Sequence, residues 1–181
     1  MPDYAAFLRG VNLGKARRVG GRELREMFEG EGFSEVSTFR TSGNVVFTAD
    51  ARPQKGLASR IERRLADALG YEVAVFLRTA KQVRAIARRE PFPPREVEAS
   101  HGKLQVAMLS SAPGKRARDE VLALATEEDR VAFGDLELYW LPSGGTRDST
   151  LNMTTIERIL GPTTMRTKGT VELLSAKFFG G

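Results

Sequence analysis

Tyr4-Ala5-Ala6-Phe7-Leu8-Arg9-Gly10-Val11-Asn12-Leu13-Gly14-Lys15 is the stretch whose reading decides the fold. Its apolar run is too short for a helix and is stopped by Arg9-Gly10, so it reads as a buried strand followed by a glycine-containing loop. Working outward, Gly20-Gly21 opens a helix with Leu24, Met27 and Phe28 on one face. Val36 to Phe39 and Val45 to Thr48 are two more strands, joined through Thr41-Ser42-Gly43-Asn44. Glycine or asparagine takes positive φ cheaply in such a turn, so the pair is a hairpin.

Pro53 precedes a second helix striped by Leu57, Ile61, Leu65 and Leu69 and stopped by Gly70. Val73 to Leu77 is a fourth strand, apolar throughout and so covered on both faces. The order βαββαβ is that of a ferredoxin-like α+β unit, whose antiparallel sheet has strand order 4-1-3-2. Thr79 then caps a helix carrying Val83, Ile86 and Ala87, and the segment from Glu90-Pro91-Phe92 to Gly102 reads as a linker. The expected division is therefore residues 1–80, a ferredoxin-like subdomain, and residues 81–181, a second α+β subdomain with its linker at about 90–102.

Beyond the linker the pattern restarts. Leu104 to Leu109 is a strand and Lys115 to Ala125 a helix. Val131 to Phe133 and Leu136 to Leu141 pair across Gly134-Asp135. Asp148 or Ser149 is expected to cap a helix with Leu151, Ile156, Ile159 and Leu160. Thr163 to Thr167 reads as a short strand before a last helix from about Thr170 to Phe178. The second half is thus a degenerate βαββα copy of the first in element order, without visible similarity residue by residue.

Composition narrows the chemistry. The chain has no cysteine, which excludes disulfides, thiolate catalysis and cysteine-held metals. A single histidine, His101, sits in the polar linker with no neighbour to make it a base. No basic leader and no long apolar run are present, so a cytoplasmic protein without a membrane partner is expected. Residues 1–90 carry net +6 and residues 91–181 net −1, so an anionic partner should prefer the first half. Arginine far outnumbers lysine, a bias that genome composition alone can also produce.

In a 4-1-3-2 sheet the first and third strands are antiparallel neighbours, so Arg9, Gly10 and Asn12 should meet Ser42, Gly43 and Asn44 at one edge. Tyr71 and Glu72 should lie there too. Glycines allow a ligand to approach backbone N–H groups, while Arg9, Lys15, Arg17 and Arg18 supply charge to an anion. The same residues also fit two tight turns with solvated arginines. Secondary candidates are Arg147, in the glycine-rich Ser143 to Asp148 turn, and Arg166 and Lys168 before the last helix.

Leu8 to Gly14, Phe39 to Phe47, Glu90-Pro91-Phe92 and Glu157-Arg158-Ile159-Leu160-Gly161 together resemble the signature segments of the bacterial family catalogued as domain of unknown function 1697. The resemblance spans nearly the whole chain and implies a cytoplasmic α+β protein with a ferredoxin-like N-terminal part. It implies no particular activity. Two departures stand out: Asp148-Ser149-Thr150-Leu151-Asn152 replaces a Ser-Lys-Leu-Thr segment, and Arg166-Thr167 replaces an Arg-Asn pair. No role of the missing lysine can be carried over.

Three function classes follow in order. The first is a binding or regulatory module with a small anionic ligand near Arg9–Asn12 and Ser42–Asn44, needing no cofactor and no metal. The second is an enzyme acting on a phosphorylated or anionic small molecule, with Ser42 or Ser149 as nucleophile or Glu72 or Glu157 as base, none having a partner identifiable from spacing. The third, an RNA or single-strand binder, suits the basic first half. Against it, Val45-Val46-Phe47 lacks the basic-Gly-aromatic pattern of such modules.

Overall fold

Strand β1 (Tyr4–Arg9) occupies the middle of a four-stranded antiparallel sheet, where its five consecutive buried residues have neighbours on both sides. The computed structural model describes residues 1–11, 18–41, 43–50, 56–147 and 149–180. The chain divides into two units, Met1–Arg84 with Leu174–Gly181, and Ala85–Leu173. Unit 1 contains β1, α1 (Gly21–Gly30), β2 (Ser34–Thr38), β3 (Asn44–Thr48), α2 (Leu57–Leu69) and β4 (Ala74–Thr79), with strand order β2-β3-β1-β4. Unit 2 contains α4 (Pro94–Ala99), β5 (Gln105–Leu109), α5 (Lys115–Leu122), β6 (Asp129–Phe133), β7 (Glu137–Pro142), α6 (Met153–Leu160) and β8 (Thr163–Thr167), with order β6-β7-β5-β8. The division falls inside α3 (Ala80–Arg88) and α7 (Lys168–Phe178).

In unit 1 the pleat sends Tyr4, Ala6, Leu8, Val45 and Phe47 to the face that α1 and α2 cover with Leu24, Phe28, Leu57, Ile61 and Leu65. Phe28, Phe33 and Phe47 pack ring against ring, with centroids 4.7 to 6.0 Å apart. Each such side chain contributes roughly 1.5–3 kcal/mol by leaving water. The alternate residues Ala5, Phe7, Val46 and Phe76 are buried as well. Both faces are covered, as the unbroken apolar run predicts.

Unit 2 repeats the arrangement with Ala107, Val131, Leu138 and Trp140 against Val121 of α5 and Ile156 of α6. Trp140 is core: its indole N–H donates to Asp129 Oδ1 at 2.8 Å, which satisfies both buried polar groups.

Hydrogen bonds expose a residue-level repeat that element order alone conceals. Leu8 N–H donates to the Gly43 carbonyl, and Leu109 N–H to that of Leu136. Glu62 of α2 accepts the Val75 N–H of β4, while Glu157 of α6 accepts the Thr163 N–H of β8. Around these glutamates the sequence is Ile61-Glu62-Arg63-Arg64-Leu65 in one unit and Ile156-Glu157-Arg158-Ile159-Leu160 in the other. The fourth strands end in Leu77-Arg78-Thr79 and Met165-Arg166-Thr167. Each arginine is buried and donates to the preceding residue's carbonyl at 2.9 Å. Each threonine hydroxyl accepts the N–H three residues on, from Gln82 or Thr170, and so caps the helix that follows directly.

Several expectations need correction. The cap of α6 is Asn152, whose side chain accepts the Thr155 N–H, and Ser149 instead donates to Asp129; Asp148 lies outside the described residues. Asn152 has the extended backbone a cap needs. Residues 90–102 are not plain loop, since Pro94 starts α4, a position where its missing N–H costs nothing. A Cβ at Gly102 would collide with the carbonyl oxygens of Pro142 and Gly144, so this segment lies flush against the end of β7. In the β2–β3 turn positive φ is taken by Arg40 and Gly43, whereas Asn44 belongs to β3.

Candidate functional site

The two segments singled out by the sequence do meet at one end of the first sheet. Phe7 faces Asn44 in the β1–β3 register, and beyond it the Leu8 N–H reaches the Gly43 carbonyl at 2.8 Å. On the other side Arg9 pairs with Ala74, which brings Gly10 beside Glu72. Arg9 is exposed at the strand end, and Arg18 is exposed shortly before α1. Gly10 holds φ +88°, and a Cβ there would meet only the Glu72 carbonyl at 4.0 Å, so its surroundings are open.

Gly43 differs. At φ +74° a Cβ would lie 3.0 Å from Val11 Cγ2 and 3.1 Å from the Leu8 Cβ, so glycine is required twice over. Asn44 is 1% exposed, and its amide donates to the Phe39 carbonyl at 2.9 Å while the Phe39 N–H donates to its own carbonyl. The side chain thus clamps the turn from inside. Asn12, Lys15 and Ser42 lie outside the described residues.

Arg40 was not singled out by the sequence. It is a non-glycine residue at φ +58°, a conformation that costs about 1–2 kcal/mol for an L side chain. Its guanidinium carbon lies 5.5 Å from the Phe39 ring centroid. Lys177, from the far end of the chain, places its ammonium 5.8 Å from the same ring and 5.3 Å from that of Phe178. Phe39 and Phe178 meet edge to face at 6.0 Å. Only chain folding joins residues so distant in sequence, and the Lys177-Phe178 pair carries no local signal.

The secondary candidates separate into two kinds. Arg147 is exposed in the β7–α6 connection. Arg166 and Lys168 are buried where β8 runs into α7. Burial pushes the Arg166 guanidinium down to about 10, which leaves it charged at neutral pH, and it donates to Thr164 Oγ1 at 2.8 Å. Lys168 donates to the Ala87 carbonyl at 2.8 Å and pairs with Glu172. These contacts tie the strand–helix junction together. Of the enzyme candidates, two are similarly engaged: Ser149 Oγ lies 2.6 Å from Asp129 Oδ1, and Glu157 Oε1 accepts from the Thr163 hydroxyl at 3.0 Å, while Glu72 is exposed and Ser42 lies outside the described residues.

A cleft of about 420 Å3 opens elsewhere, within unit 2, lined by Glu96, Ser100, His101, Glu127, Glu128 and Arg130 among others. It shares no residue with the sheet end described above. Its walls are the docking of the α4 segment on β7, with the His101 N–H on the Ser143 carbonyl and an Arg130–Glu96 pair across it. Among the described residues no group of three or more His, Asp or Glu side chains could hold a metal ion, and no helix is long and apolar enough to cross a membrane.

Comparison with known proteins agrees with the resemblance. The family model described as Protein of unknown function (DUF1697) matches residues 1–139, so the chain belongs to that family. The match reaches into β7, and the Glu157–Gly161 segment lies beyond it. No curated protein matches the chain. Among solved structures it is similar to the conserved bacterial protein SP0830 from Streptococcus pneumoniae, with TM-score 0.73 and 19% identity over 98% of each chain. At that identity the likeness concerns the fold.

Proposed function

We propose that this DUF1697 protein is a binding module that takes a small anion at the Arg9–Gly10 and Arg40–Gly43 end of its first sheet. The observation that supports the reading is a difference between two units built alike. Residues 10–20 separate β1 from α1, eleven positions against the five of 110–114 between β5 and α5. The hairpin turn is longer at the same sheet end: Phe39 bonds Asn44 across four residues, whereas Gly134 bonds Glu137 across two. Unit 1 also has the longer second helix, α2 against α6, but at this sheet end both of its connections are the longer ones, and exposed connections on a rigid scaffold are where binding residues concentrate.

Chemistry favours an anion. Arg9, Arg18 and Arg40 are exposed in or beside these two connections, and the sequence of the longer one also contains Lys15 and Arg17. The unit is read here as ferredoxin-like, on the strength of its element order and β2-β3-β1-β4 sheet, and as working in the cytoplasm without cofactor. An enzyme reading has weaker support, because Ser149 and Glu157 already hold structural bonds.

Removing charge while leaving the turns intact tests the proposal. The pair Arg9→Ala with Arg18→Ala, both exposed, should leave the free protein's melting temperature nearly unchanged, since exposed charges contribute about 0–1 kcal/mol. A ligand at 100 times its Kd adds roughly 2.7 kcal/mol to a folded state that alone binds it. Inorganic pyrophosphate should therefore raise the melting temperature of the wild type well above that of the pair at equal ionic strength. Equal stabilisation of both would remove this end as the site.

A further inference from the structure

We infer that the anion taken at this end is a phosphate carried on a flat aromatic group, in its simplest form a nucleotide; the inference rests on the functional reading above and names its ligand class. It stands on Phe39, Phe178, Arg40 and Lys177. The two rings are only partly buried and meet edge to face, and the two cations sit within 5.8 Å of the Phe39 centroid. Among the described residues neither Arg40 nor Lys177 has a carboxylate partner. Several other surface cations of the chain do: Arg22 with Glu26, Arg25 with Glu29, Arg60 with Glu31, Lys115 with Asp119 and Arg116 with Glu120.

Two like charges gathered on one ring repel each other, and the ring's electron-rich face offsets only part of that cost. A phosphate between them would neutralise both, with Arg40 able to present two N–H groups to one phosphate edge. The aromatic edges beside it add what inorganic phosphate cannot use. A nucleobase stacks on such a ring with any sequence identity, because every base has a π face.

The second unit shows that the fold does not require this cluster. Gly134 stands where Phe39 does, making the same turn-closing bond. Counting from the capping threonines Thr79 and Thr167, Arg89 matches Lys177 and Glu90 matches Phe178. Arg89 is occupied there by the Phe133 carbonyl at 3.1 Å. The aromatic pair is thus confined to the unit that also has the longer basic loops.

The test compares ADP, inorganic pyrophosphate and a short oligothymidylate by calorimetry, at one ionic strength, on wild type, Lys177→Ala and Phe178→Leu. Wild type should bind ADP about ten-fold or more tighter than pyrophosphate. Phe178→Leu should abolish that preference while keeping pyrophosphate affinity, which also shows that the variant is folded. Lys177→Ala should weaken both ligands. Oligothymidylate tighter than ADP would assign the nucleotide to single strands, and the reverse order to free nucleotides. Equal affinity of wild type for ADP and pyrophosphate would overturn the inference and leave the anion site standing; binding of none of the three would overturn the functional reading itself.

Discussion

Unit 1 and unit 2 share a strand order, a glutamate on the second helix that holds the fourth strand, a buried arginine on that strand and a threonine that caps the next helix. They differ in the length of the second helix and, at one sheet end, in both connections. The parts that agree are those that satisfy buried backbone and fill the core, which any copy of the fold must do. The parts that differ include exposed connections with several cations, a left-handed arginine and two aromatic edges. Stability lives in what the units repeat, and the proposed binding chemistry in what unit 1 alone carries.

The comparison breaks first, and by the largest amount, if equivalent core positions are not equivalent energetically. Ile61 and Ile156 are 1% and 0% exposed and precede the two strand-holding glutamates. Ile61→Ala and Ile156→Ala should each cost about 2–5 kcal/mol in denaturant unfolding. A cost below about 1 kcal/mol at either site would show that one core is only loosely formed.

Next come the glutamates. Glu62→Ala and Glu157→Ala remove a charged acceptor from a strand N–H and should cost about 1–3 kcal/mol each. Glu157→Ala should be the more damaging, because it also removes the acceptor of the Thr163 hydroxyl. Hydrogen exchange at the Val75 and Thr163 amides reads the effect directly, and unchanged protection in the variants would deny the bond its role.

Arg40→Gly sharpens the contrast in the opposite sense. Glycine accepts φ +58° without strain, so the variant should be as stable as wild type or more so by about 1 kcal/mol, while losing response to pyrophosphate. Retained response would detach the left-handed arginine from the site.

The smallest effect concerns the β2 edge, where unit 1 carries a bulge at Glu35 between Ser34 and Ser37. The Thr48 hydroxyl, and after it the terminal amine of Met1, hold the Glu35 carboxyl below the usual carboxylate range. A carboxyl depressed in the folded state contributes stability above its unfolded pKa and loses it as pH falls through the folded value. Glu35→Gln should therefore slightly flatten the acid limb of the stability profile and leave neutral pH nearly unaffected. An unchanged acid limb would show that the contact does not persist in solution.

Much of the scaffold was legible. The apolar run of β1, the hairpin at Gly134, the left-handed stop at Gly70 and the Thr79 cap each follow from local chemistry. The repeat was legible in element order but not residue by residue, because elements and connections of different length destroy any single alignment: Leu8 and Leu109 are 101 residues apart, Ile61 and Ile156 are 95, and Arg78 and Arg166 are 88. Only hydrogen bonds reveal which residues correspond. For the site, sequence pointed to Arg9, Gly10, Gly43 and Asn44 through strand adjacency, and the folded chain uses the Asn44 amide to close the turn as well. Arg40 escaped notice because its significance is a backbone angle, and Phe178 because it arrives from the opposite end of the chain.

The central claim, that binding belongs to the unit 1 loops and not to the fold they sit on, is tested most directly by amide chemical-shift mapping of a pyrophosphate titration on the intact chain. Saturable shifts are expected at Gly10, Arg18, Arg40 and Gly43, with Ser110, Gly114 and the Gly134–Leu136 turn unmoved. Shifts of equal size at both sheet ends, or centred on Arg147, Arg166 and Lys168, would contradict it.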